Sequence, residues 1–249
     1  MSPLQAAVVS GAVSALAWRA GALRPSGAAA ATLVGTVVLT AAGWAGGAVL
    51  MAFFLPASVI SRWWPAPASA LDPKDDRRDA WQVLANGGIP ALVVAFGGPP
   101  AVMAFAAGLA AAAADTWATA LGAHSPTPPR HILKGHVVSP GTSGGVTVFG
   151  TVGAAAGAAL VAASAVPLIG LGGAAVAFGI GVAGMLLDSA LGAGVQGRFH
   201  CDYCDRPSEW TMHRCGHATR LEGGCPLVTN DGVNALASLV ATAVGWAAY

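Results

Sequence analysis

Residues 99–122 read PPAVMAFAAGLAAAAADTWATALG. The run exceeds the roughly 20 apolar residues that cross a bilayer, and it holds one charge, Asp115. A second run, GMLLDSALGAG at 184–194, also holds one acid, Asp188. Of the eleven acidic residues, only these two sit inside long apolar runs. A carboxylate near the centre of a bilayer costs at least ~2.5 kcal/mol to insert, so each marks a candidate functional site. The plainer reading is a buried Asp paired to backbone, to Thr116 or to Ser189.

The same pattern extends over the whole chain. Its 249 residues are 55% hydrophobic and 9% charged, with mean hydropathy +0.64. A soluble domain carries about 25% charged residues. This composition predicts one integral membrane domain, 1–249, folded as an all-α polytopic helix bundle. Apolar runs cover 4–23, 27–41, 44–61, 81–97, 99–122, 143–166, 169–195 and 229–248. The stretch 27–61 reads either as one long tilted helix or as two joined at Ala42-Gly43, giving seven spans or eight.

The basic residues decide between them. Arg19 and Arg24 follow the first run, and Arg62, Lys74, Arg77 and Arg78 the third. Arg130 and Lys134 follow the fifth, and Arg198, Arg206, Arg214 and Arg220 the seventh. With eight spans all twelve fall on one face, which the positive-inside rule makes cytoplasmic. Eight spans with both termini outside is therefore the expected topology, in the cell (inner) membrane. The first run lacks a basic leader and a clear cleavage site, so it is not read as a signal peptide. A net charge of +1 gives no case for a nucleic-acid partner.

Polar residues gather toward the cytoplasmic ends of the runs. Asp115 and Asp188 lie at similar depth on runs of the same direction. Asn230, Asp231 and Asn234 open the last run, where Asn230 or Asp231 reads equally as a helix cap. Asp79, Gln82 and Asn86 open the fourth, and Asn86 precedes Gly87-Gly88, a helix-weakening pair. This set predicts one cytoplasm-facing pocket. Oxygen ligands of this kind suit Mg²⁺, held by Asp115 and Asp188 together with a substrate phosphate.

Two loops carry further chemistry. The segment 124–150 reads HSPTPPRHILKGHVVSPGTSGGVTVFG. Gly141, Thr142, Ser143, Gly144 and Gly145 stand before an apolar helix, where backbone N–H groups can hold an anion. Lys134 and Arg130 supply cations. The alternative is an ordinary turn with Thr142 or Ser143 as helix cap. No GxxxxGK[ST] phosphate loop occurs. His124, His131 and His136 read as solvated loop residues. The segment 196–226, QGRFHCDYCDRPSEWTMHRCGHATRLEGGCP, contains all four cysteines. It lies within a cytoplasmic loop, 198–228, where disulfides are disfavoured. Cys201, Cys204 and Cys215 with His213 fit a structural zinc site, with His217 or Cys225 as alternative fourth ligand.

Five blocks together resemble a known family: RRDAWQVLANGG (77–88), ADTWATALG (114–122), SPGTSGGVTVFGTVGA (139–154), GMLLDSALGAGVQ (184–196) and NDGVNALASL (230–239). They are similar to the signature blocks of the transmembrane-protein-19-like integral membrane family, which includes plant and cyanobacterial phytyl-phosphate kinases. The resemblance runs from about Gly27 to Ala248. More distantly, the chain resembles CDP-diacylglycerol synthase and the CTP-dependent dolichol and phytol kinases. It departs from the plant pattern in the Cys/His loop, and Ala120 stands where an acid is expected after DTWA.

The resemblance implies phosphorylation of a phytyl or other prenyl monophosphate by a nucleoside triphosphate, CTP above all. Asp115, Asp188, Asp231 and Lys134 would be the catalytic set. Asn86, Thr116, Arg130, Gly141, Thr142, Ser143, Gly144, Gly145, Ser189, Asn230 and Asn234 would bind nucleotide or lipid. Cofactors would be Mg²⁺ and structural Zn²⁺. A cation-coupled transporter, a lipid cytidylyltransferase and a zinc-stabilised scaffold are the competing expectations.

Overall fold

A computed structural model describes residues 1–64, 77–213 and 215–249. Lys74 and Arg214, two of the cations that orient the chain, lie outside the described residues. Helices make up most of the fold: α1 (Pro3–Arg19), α2 (Pro25–Trp63), α3 (Ala80–Val94), α4 (Gly98–Gly122), α5 (Val148–Gly194) and α6 (Asn230–Ala247). Among the described residues, α2, α4 and α5 are long and apolar enough to cross a membrane by length and composition.

Two glycines interrupt the longest helices. Gly43 (φ 60°, ψ −154°) divides α2, and Gly170 (φ 69°, ψ 174°) divides α5. Both lie at φ values that favour glycine, so each is a break that another residue would strain. Of the two sequence readings for 27–61, the break at Ala42-Gly43 is the one observed. With these breaks the described residues form eight helical segments.

Short polar motifs fix the helix starts. Asp79 caps α3, accepting from Gln82 N at 3.0 Å, while the Gln82 side chain reaches back to the Asp79 N–H. Thr147 caps α5, accepting from Gly150 N at 2.9 Å. Thr229 caps α6, accepting from Gly232 N at 3.2 Å. These caps correct two expectations. Neither Thr142 nor Ser143 caps α5, because the helix begins later than the apolar run at 143. Neither Asn230 nor Asp231 caps α6; both lie inside its first turn, where Asp231 suits the positive helix end.

The all-α expectation also needs amending. β1 (Arg130–His131) pairs antiparallel with β2 (Gly145–Val146), closing the loop between α4 and α5. Beyond α5 the Cys/His segment folds as a three-stranded antiparallel sheet, β4 (Arg206–Ser208), β3 (Arg198–Cys201) and β5 (Arg220–Gly223), with β3 in the centre. Both segments leave the apolar runs, so their backbone groups pair with each other instead of with a helix.

α4 is the axis of the molecule. Ala101 and every residue from Met103 to Ala114 are buried, as expected for a helix that is apolar all round. Glycines on its neighbours let backbones approach it. The first half of α5 sets Gly157 on the Ala113 carbonyl, the second half sets Gly184 on Ala111, and α6 sets Gly245 on Ala104 and Ala107. A β-carbon at Gly157 would stand 2.8 Å from the Ala113 oxygen and 2.9 Å from the Trp117 ring. Gly157→Val should therefore lower stability by ~1–3 kcal/mol, the usual cost of overpacking. Unfolding of the detergent-solubilised protein checks it, and a wild-type midpoint would mean the seam is looser than described.

Candidate functional site

Helix register brings the acids of α4 and α5 together. α4 and the second half of α5 run parallel, with Ala110 on Gly181 and Ala111 on Gly184. One further turn puts Asp115 beside Asp188, and their carboxyl groups lie within hydrogen-bonding reach. Asp188 is buried, and its Oδ2 has no hydrogen-bond partner among the described residues. Two carboxylates this close need a proton or a cation between them.

α6 completes the wall. It runs antiparallel to α4, with Gly245 on Ala104 and Ala107 and Thr242 on Gly108. Two turns back along α6, Asn234 comes level with Asp115. The Asn234 Oδ1 and the Trp117 Nε1 are buried and also lack partners among the described residues. Buried polar atoms are normally satisfied, so Asp188 Oδ2 and Asn234 Oδ1 point to a missing polar occupant; the Trp117 ring lies on the other side of α4, against Gly157. Thr116 is engaged otherwise: its Oγ1 donates to the Ala112 carbonyl at 2.8 Å. The Ser189 hydroxyl points to Met185 Sδ at 3.9 Å.

The glycine loop sits one turn beyond Asp188. Gly144 (φ +76°) packs on the Ser189 carbonyl and on Ala193, leaving no room for a side chain. Gly141 (φ +86°) makes the preceding turn. Thr142 N donates to Ser139 O at 3.1 Å, and Gly145 N donates to Thr142 O at 2.9 Å. Ser143 Oγ donates to Glu209 Oε1 at 3.3 Å, and Gln196 Nε2 donates to the same oxygen at 3.1 Å. One carboxylate thus joins the glycine loop, the end of α5 and the Cys/His lobe.

Cations stand on the same hairpin. Lys134 is exposed near its turn. The Arg130 guanidinium folds back to the Gly135 carbonyl at 2.9 Å. His131 lies against His136, ring centroids 5.3 Å apart. Desolvation lowers the His131 pKa, and the charges of His136, Lys134 and Arg198 lower it further. The Arg198 guanidinium also donates to Ala193 O at 2.9 Å. Asn86 is elsewhere. Its Nδ2 donates to Gln82 O at 3.0 Å, and it lines a cavity whose walls include neither Asp115 nor Asp188.

The Cys/His lobe holds a second cluster. One ligand atom from each of Cys201, Cys204, His213 and Cys215 lies within 4.8 Å of the others. Cys201 Sγ is 3.6 Å from Cys215 Sγ, and His213 Nδ1 is 3.0 Å from it. A tetrahedral ion with Zn–S bonds of ~2.3 Å would set sulfurs roughly 3.8 Å apart, so the set fits a metal such as zinc. His217 stacks on Tyr203, ring centroids 3.9 Å apart, with Nδ1 3.5 Å from Cys215 Sγ. Cys225 lies outside the cluster, its N–H on the Val195 carbonyl at 2.9 Å. The hydrogen bond with His213 pulls the Cys215 thiol pKa down to about 5. The hydrogen bond with Cys215 pushes Cys204 up to about 11.

Glu209, Gln196 and Arg198 were not anticipated as site residues. Gln196 carried a usable signal: it is polar, directly follows the last apolar residue of α5, and is buried.

A helical membrane protein with an intramembrane acid pair and a Cys₃His lobe is the class these observations define. The chain belongs to the family described as Integral membrane protein DUF92, which it matches over residues 8–242. It is 33% identical to an uncharacterised membrane protein of Methanocaldococcus jannaschii over 175 residues, 67% of this chain and 72% of that protein. It is 27% identical to Protein PGR of Arabidopsis thaliana over 270 aligned positions, 94% of this chain and 92% of that protein. No solved structure matches it.

The Glu209 junction makes a measurable claim. Glu209→Gln should weaken two charge-assisted hydrogen bonds, each worth about 1.5–3 kcal/mol. Hydrogen exchange should then rise across 139–147 while metal content stays unchanged. Cys215→Ser should do both, losing metal and loosening the loop. Wild-type protection of 139–147 in both variants would separate the lobe from the loop.

Proposed function

We propose that this protein is a membrane phosphotransferase that passes the γ-phosphoryl group of a nucleoside triphosphate to a prenyl monophosphate. CTP is the nucleotide favoured by the sequence resemblance. The observation that carries the reading is the Asp115–Asp188 pair, with an unpartnered Asp188 Oδ2 one turn from a glycine loop.

In this reading the eight helical segments are eight spans, and the site faces the cytoplasm of the inner membrane. Asp115 and Asp188 would hold Mg²⁺, for which paired carboxylates are suited, and which would supply neutralisation of phosphate charge. Asp231 at the start of α6 completes or orients that set, with Asn230 beside it. The loop Gly141–Gly145, with Lys134 and Arg130, receives the nucleotide phosphates, and Thr116 and Ser189 flank the acids. Asn234 orients the acceptor; Asn86 does so only if the acceptor reaches the cavity beyond α3.

The acceptor phosphate oxygen attacks the γ-phosphorus. The bond from the γ-phosphorus to the bridging oxygen breaks, the electron pair leaves with the nucleoside diphosphate, and a prenyl diphosphate forms. Such a reaction asks the protein mainly for alignment and charge neutralisation. The lobe clamped by Zn²⁺ steadies the glycine loop through Glu209.

One observation favours a second reading. Acids set within apolar helices also mark the ion paths of cation-coupled transporters. The deciding experiment supplies purified protein with Mg²⁺, γ-labelled CTP and phytyl, geranylgeranyl or undecaprenyl monophosphate. Label in a prenyl diphosphate with release of CDP is the expected outcome. A CDP-lipid with pyrophosphate would mean cytidylyl transfer by the same pocket. No turnover, with Asp115-dependent uptake in proteoliposomes, would favour the transporter. Asp115→Asn should lower turnover by on the order of 10²-fold or more with unchanged folding, and an active variant would remove the acid pair from the mechanism.

A further inference from the structure

A separate cavity of about 340 Å³ lies between α1, α2 and α3. Its walls are mostly apolar, among them Val9, Val34, Leu39, Leu50 and Phe53. No residue of α4, α5 or α6 lines it, so it is distinct from the acid pair. It sits at the small end of the roughly 300–1,000 Å³ typical of small-molecule sites.

Its charge stands at one end. Arg78 is the only charged residue among the described lining residues. Backbone bonds fix its place: its N–H donates to Ala22 O at 3.1 Å, and its carbonyl accepts from Arg24 N at 2.9 Å. The guanidinium lies over the Phe53 and Phe54 rings, 5.8 and 5.5 Å from their centroids. Its Nη1 donates to Ser58 Oγ at 3.2 Å. No carboxylate pairs with it among the described residues. Burial lowers its pKa to about 10, so it stays protonated at neutral pH. Gln82 and Asn86 line the wall beside it, and Ser10 Oγ, on the facing helix, is buried without a partner.

Even a half-buried cation without a counter-charge is costly. Guanidinium carries five donors, and Ser58 takes one of them. The remaining donors suit an anionic head such as phosphate. From Phe54 to Trp44 the second half of α2 rises about 15 Å along apolar wall, which suits a hydrocarbon tail. The cavity volume suits one chain rather than two. The outer wall is α1, which packs chiefly on α2 and exposes Leu4, Val8 and Leu16 on its far side, so a membrane amphiphile has only one helix to pass.

We infer that this cavity binds a single-chain membrane amphiphile with a phosphate head, the head on Arg78 and the tail running toward Trp44. The inference does not rest on the phosphotransfer reading. Its test is equilibrium binding of labelled hexadecyl phosphate to the full chain in detergent, with hexadecanol and inorganic phosphate as competitors.

Saturable binding is expected, with hexadecanol competing at least 10-fold more weakly and millimolar inorganic phosphate not competing. Arg78→Gln should erase the preference for the phosphate head. Ala31→Phe, which fills the cavity one turn along α2 from the Gly27–Arg78 contact, should abolish binding of both amphiphiles. Asp115→Asn should bind as wild type. Full preference in Arg78→Gln, unchanged binding in Ala31→Phe, displacement by inorganic phosphate, or loss of binding in Asp115→Asn would each overturn the inference. Should Arg78→Gln not fold, Ala31→Phe and Asp115→Asn still decide. Absence of kinase activity, by contrast, would leave this result untouched.

Discussion

Close backbone approach along α4 is the constraint on which the rest of the molecule depends. Lipid tails are as apolar as leucine, so helices in a membrane gain little by hiding apolar side chains from one another. What they gain is dispersion, which falls steeply with separation. Gly157, Gly184 and Gly245, set against Ala113, Ala111 and Ala104–Ala107, bring the backbones to that range. The seam also has a chemical consequence. By fixing α4 and the second half of α5 in parallel register, it makes Asp115 and Asp188 neighbours. Each acid alone would carry its insertion cost with nothing to share it; side by side they can hold one cation.

The second organising contact is Glu209. It lies in the Cys/His lobe, yet its Oε1 receives Ser143 from the glycine loop and Gln196 from the end of α5. Ser143 and Glu209 are 66 positions apart. A loop rich in glycine loses much conformational freedom on ordering. Here the order comes from outside the loop, through a lobe that a metal can clamp. That gives the cysteines a role beyond their own sheet.

Much of the architecture was legible because apolar length, glycine and charge act locally. The run 99–122 announces a buried helix, the break at Gly43 follows from the side on which the cations fall, and the spacing of Cys201, Cys204 and Cys215 with a nearby histidine points to a metal cluster. The helix caps were not legible. Thr142, Ser143, Thr147, Thr229, Asn230 and Asp231 are all good caps by type, and only the position of the first helical turn selects Thr147 and Thr229. The small sheets were missed because strands of two to four residues leave no readable alternation. Glu209 was missed because its partners are set by tertiary contact. The convergence of Asn86 with the acids was overestimated for a similar reason: helix order along the chain does not say which face of α3 turns inward.

α3 lines the apolar cavity with one face and packs on α4 with another. Gln82 and Asn86 line the apolar cavity, while Pro90 packs on Gly108 of α4. The helix is short, 15 residues, and Pro90 leaves a carbonyl of the preceding turn without its usual partner. Such a segment shifts at lower cost than the sealed seam of α4 and α5. The cavity thus meets the core through α3 and also through α2, which packs on both α4 and α5.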